Sequence, residues 1–103
     1  MKNLIITLLL LISTQNTNAI DLSKTSCRLF FAAIDSMIAE NQSNRARDHM
    51  FFIYGHVSGK NGSANMDFRT FSQFKRAHRE MCEKAPKKNM LEVANSAYQT
   101  LVK

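Results

Sequence analysis

Apolar residues along this chain return every three or four positions rather than every two, and they do so in four separate stretches. From about Ser26 to Glu40, Cys27, Phe30, Phe31, Ile34, Met37 and Ile38 fall at helical spacing, with Thr25 or Ser26 placed to cap the start. A second stretch runs from Ser43, the expected cap, to about Ser58, with Ala46, Met50, Ile53, Tyr54 and Val57 on one face and Gly59 suited to its exit. GKNGSAN then reads as a flexible loop. The third stretch starts near Asp67, carries Phe68, Phe71, Phe74, Ala77, Met81 and Cys82 along one broad face, and ends before Pro86, because the residue preceding a proline avoids helical geometry. The fourth opens at Asn89 with Glu92 three residues on, a variant of the capping box, and places Leu91, Ala94, Tyr98, Leu101 and Val102 on one side. The pattern predicts an all-α fold, a small bundle of about four short helices.

The apolar run Leu4–Ile12 stands outside this periodicity. It follows a single lysine and precedes a polar tail ending in Thr17-Asn18-Ala19, so residues 1–19 read as a secretory signal peptide and residues 20–103 as one mature domain. The run is short for a membrane span, and no cysteine stands at the cleavage site to carry a lipid. A compact leader of this kind looks bacterial and points to the periplasm. At this length a hydrophobic core alone gives only a few kcal/mol, and extra fastening is expected. Cys27 and Cys82 are the two cysteines, and in an oxidising compartment they have one intramolecular pairing. Closing a loop of roughly 56 residues contributes about 4 kcal/mol in the chain-entropy model. The alternatives are two free thiols or a bridge between chains.

Candidate chemistry adds little. His49 and His56 lie about two turns apart, roughly 10 Å along a helix, too far to share one ion. His78 and Cys82 have good ligand spacing, but nothing completes a tetrahedral set and the thiol is expected in a disulfide. Neither a CxxC motif nor a serine flanked by glycines as in G-x-S-x-G is present, so no enzyme, cofactor or metal is expected. The chain is basic, at +6 with a pI near 9.7. Secretion argues against a nucleic-acid partner and leaves contact with anionic envelope surfaces open. Arg76 with Glu80, Arg79 with Glu83, and Glu80 with Lys84 are spaced for exposed pairs on one helix. Phe30 with Phe31 and Phe51 with Phe52 sit about 100° apart on their helices. Either all four pack into an ordinary core, or some form a dimer interface or a client-binding surface.

The stretch TSCRLFF early in the mature part, a central helix, and MCEKAPKKNMLEVA leading into a last helix resemble the HdeA/HdeB-like periplasmic proteins over most of residues 25–103. The C-terminal part is most similar to the YmgD-type members. The resemblance implies a disulfide-clamped helical fold, a homodimer at neutral pH, and an acid-stress chaperone that binds unfolding periplasmic proteins at low pH. Rival expectations are an immunity protein of the type VI secretion kind, an inhibitor of an envelope enzyme, and an envelope partner-binding protein without chaperone activity. If the acid reading holds, the carboxylates Asp67, Glu80, Glu83 and Glu92 are the candidate acid sensors. Full protonation would raise the mature charge from about +5 to about +17 with the amino terminus included, and the dimer would dissociate and loosen below about pH 4.

Overall fold

The computed structural model describes residues 21–63 and 67–102; the predicted leader, residues 1–19, and residues 64 and 65 of the predicted loop lie outside them. Among the described residues there are four α-helices and no strand: α1 Cys27–Ala39, α2 Ser43–Lys60, α3 Phe68–Lys84 and α4 Met90–Val102, preceded by a 3-10 turn at Leu22–Lys24. The predicted small all-α bundle is the observed fold. Helix α4 packs against α2 and α3, and α1 packs against the same two helices. None of the described helices is long and apolar enough to cross a membrane.

Three helix starts match their predicted caps and one does not. Ser26 Oγ accepts from the Leu29 amide, and Asp67 accepts from the Arg69 amide and the Thr70 hydroxyl. Asn89 Oδ1 accepts from the amides of Leu91 and Glu92 at 3.0 Å each. Ser43, expected as a cap, is instead the first residue of α2, and Gln42 before it makes no side-chain cap bond. The reason lies in the tight turn just before it. α1 closes with Asn41 at φ 62°, the Asn41 amide bonding Ile38 O and the Gln42 amide bonding Met37 O at 2.7 Å, which leaves no extended residue between the helices.

The exit of α2 also shifts. Gly59 is inside the helix, and the left-handed position is taken by Gly62 at φ 80°, where the Gly62 amide bonds Gly59 O and the Ser63 amide bonds Ser58 O. Helix α3 ends at Lys84, two residues before Pro86.

The core is one cluster. Tyr54, Phe74, Ile53, Met90, His78, Val57 and Cys27 are its most completely buried large side chains. Cys27 at the start of α1 and Cys82 near the end of α3 are joined as a disulfide with their Cα atoms 5.2 Å apart. Beside it the approach to α1 and the α3–α4 link form a polar clasp. The Cys27 amide donates to Lys88 O, the Arg28 amide to Pro86 O and the Met90 amide to Thr25 O. Asn89 Nδ2 shares its hydrogens among the carbonyls of Leu22, Ser23 and Thr25, at 3.1, 2.7 and 3.2 Å. The otherwise unbonded amides at the start of α1 are thus satisfied by the α3–α4 link, and the disulfide and the clasp pin the same pair of segments.

Candidate functional site

One turn before Cys82 on α3 stands His78. The apolar stripe of this helix buries Phe71, Phe74, His78 and Cys82, so helical spacing alone carries an imidazole into the core. Its exposure is 0 %. The ring centroids of Phe31, Phe74 and Phe30 lie 5.0, 5.4 and 5.9 Å from its own. Nε2 is 3.1 Å from Met90 O at the start of α4. A carbonyl only accepts, so Nε2 carries the hydrogen and the ring is neutral with a bare lone pair on Nδ1. Among the described residues, Nδ1 is the buried polar side-chain atom that has no hydrogen-bond partner.

The consequence is electrostatic. Putting a second proton on Nδ1 would place a cation with an unmatched donor in an aromatic cage. Burial pushes the His78 pKa down to about 4; the Met90 hydrogen bond opposes this, and the adjacent Arg79 cation adds to it. From α1 the rings of Phe30 and Phe31 face the imidazole, and from α4 the Met90 carbonyl does. No carboxylate figures among the causes of its shift.

Arg79 continues this arrangement to the surface. Its guanidinium lies over the Phe31 ring, 4.6 Å from the centroid, and pairs with Asp35 on α1 at 2.6 Å. The expected Arg79–Glu83 pair is therefore replaced by one between helices, because the Phe31 face draws the guanidinium across and Asp35 sits one turn further along α1. Arg76–Glu80 and Glu80–Lys84 are likewise not among the ion pairs of the described residues, which are Arg79–Asp35 and Arg47–Asp48.

The other predicted site residues are dispersed. Phe30 and Phe31 are buried at the cage, and Phe51 is half-buried and stacked on Phe71 at 4.4 Å. Phe52 is 63 % exposed, as is Phe68 at 73 %. Asp67 caps α3, and its carboxyl is held below the ordinary value first by the Thr70 hydroxyl and then by the Arg69 amide. Glu80 and Glu83 are exposed along α3, and Glu92 is exposed in the first turn of α4. His49 bonds Arg45 O on its own helix. No three His, Cys, Asp or Glu side chains among the described residues are grouped to hold a metal ion.

Sequence reasoning weighed His78 as a metal ligand and missed it as a buried base. The signal was present, since His78 lies four residues after Phe74 and four before Cys82 on the stripe that was read as core-facing. Comparison of the chain with protein-family models, curated proteins and solved structures finds no match in any of the three.

Proposed function

We propose that the chain is a periplasmic acid-stress chaperone of the HdeA/HdeB-like type, which leaves unfolding proteins alone at neutral pH and binds them in acid. The observation that supports this most is His78, a neutral imidazole with an unpartnered Nδ1, caged by aromatic rings and hydrogen-bonded to α4 one turn from the disulfide. On acidification the unfolded chain takes up this proton before the folded one does. The contribution of His78 to stability is complete above about pH 6.5 and is lost as the pH drops toward about 4, where the folded imidazole also charges.

Below that range the capping carboxylates of Asp21 and Asp67, both held under their ordinary values by hydrogen bonds, lose the charge their helix starts favour. The Phe30 and Phe31 rings that now enclose His78 would then be freed for clients, while the disulfide keeps α1 and α3 tethered. At neutral pH the chain is a homodimer in this reading, and like-charged subunits separate in acid. Sedimentation and circular dichroism from pH 7 to pH 2, with a dye that binds apolar surface, test it. A dimer that dissociates below about pH 4, with rising dye signal and retained partial helicity, is expected. One unchanged species across the range overturns it.

A further inference from the structure

Helices α1, α2 and α3 do not close on each other along one side of the bundle, and a groove of about 650 Å³ runs between them. Ile34, Ile38 and Met50 form part of its floor, and Ile38 is 49 % exposed although it is a large apolar side chain. Arg47 of α2 and Lys75 and Arg76 of α3 stand along its rim. Glu80 and Glu83 lie further along α3, so the rim is cationic at one end and acidic at the other. From Lys75 to Glu83 the groove wall spans about 12 Å of helix rise, which matches two turns of a docked helix.

We infer that this groove binds an amphipathic helix of a partner protein, with its apolar stripe on Ile34, Ile38 and Met50 and carboxylates on its flank against Arg47, Lys75 and Arg76. The inference concerns the folded state at neutral pH and is independent of the acid reading. Three other occupants fit less well. A second copy docked through the same face would set groove against groove and bring no ridge to fill either floor. The chain's apolar Leu4–Ile12 run lies in a segment, residues 1–19, that has no Asp or Glu to meet the rim. A single acyl chain would leave much of its length in water, because the groove is open along its side. An amphipathic helix brings both the i, i+3, i+7 apolar anchors and the flanking charge that the two parts of the groove ask for.

The probe is a labelled peptide about 18 residues long with a leucine stripe and glutamate flanks at helical spacing, set against a counterpart with lysine in place of each glutamate. Binding to the disulfide-intact mature chain is read by fluorescence anisotropy at pH 7. The acidic peptide is expected to bind at least about tenfold more tightly than the lysine one. The triple variant Arg47→Glu/Lys75→Glu/Arg76→Glu, and separately Ile38→Ser, should each weaken it by a similar factor. Lys60→Glu/Lys87→Glu/Lys88→Glu makes the same change in net charge away from the groove and should leave binding within about twofold. All these positions are exposed or half-buried, and circular dichroism checks that each variant keeps its helices. Equal binding of the two peptides, equal loss in both triple variants, or displacement of the peptide by vesicles of phosphatidylcholine with phosphatidylglycerol would each overturn the inference.

Discussion

At the scale of single residues, His78 is the buried imidazole whose protonation the fold opposes. A folded pKa of about 4 against an ordinary value near 6.5 means that this one group removes about 3 kcal/mol of stability between pH 6.5 and pH 4. His78→Phe keeps an aromatic ring in the cage and deletes the titration. Urea unfolding of both proteins at pH 7 and pH 4 should show the difference between the two pH values shrinking by about 3 kcal/mol in the variant, whatever its stability at pH 7. An unchanged difference would mean that the imidazole does not carry the acid sensitivity. Asn89 is the second informative residue, because one side chain caps α4 and holds the carbonyls of Leu22, Ser23 and Thr25. Asn89→Ala should cost about 1–3 kcal/mol and lower the thermal midpoint by several degrees, read by differential scanning calorimetry.

At the scale of elements, the helices were legible because each buries one face, and a face repeats in sequence. Phe71, Phe74 and Cys82 announced α3, and Asp67 and Asn89 announced two helix starts by side-chain chemistry that acts within three residues. The α2 exit was less legible because Gly59 and Gly62 both qualify locally. The choice depends on which glycine takes the left-handed conformation, and that is Gly62. The two glycines therefore give opposite predictions. Gly62→Ala should destabilise by about 1 kcal/mol, since alanine resists φ 80°. Gly59→Ala, in the helix with nothing within 4 Å of the added methyl, should stabilise by a few tenths to about 1 kcal/mol. Thermal melts of the two variants side by side decide it, and the same sign for both would contradict the assigned exit. The Arg79–Asp35 pair, with its partners 44 positions apart, was not legible at all, because it depends on how two helices lie together.

At the scale of the whole molecule, the disulfide and the Asn89 clasp hold the start of α1 to the α3–α4 link, and the base whose protonation is most resisted sits just beneath them. In the proposed reading that arrangement ties loosening to proton uptake while limiting how far the chain can open. Reduction should remove about 4 kcal/mol, the chain-entropy value for a loop of this size, and turn acid loosening into full unfolding with loss of residual helicity. Circular dichroism at pH 3 with and without a phosphine reductant checks this. The central claim, that acid converts a closed helical domain into a tethered binder of unfolding proteins, is tested most directly by light scattering from an acid-sensitive probe enzyme. The disulfide-intact chain should suppress the aggregation of that enzyme at pH 2 to 3 and leave heat-induced aggregation at pH 7 unaffected. Suppression at both pH values, or at neither, would contradict it.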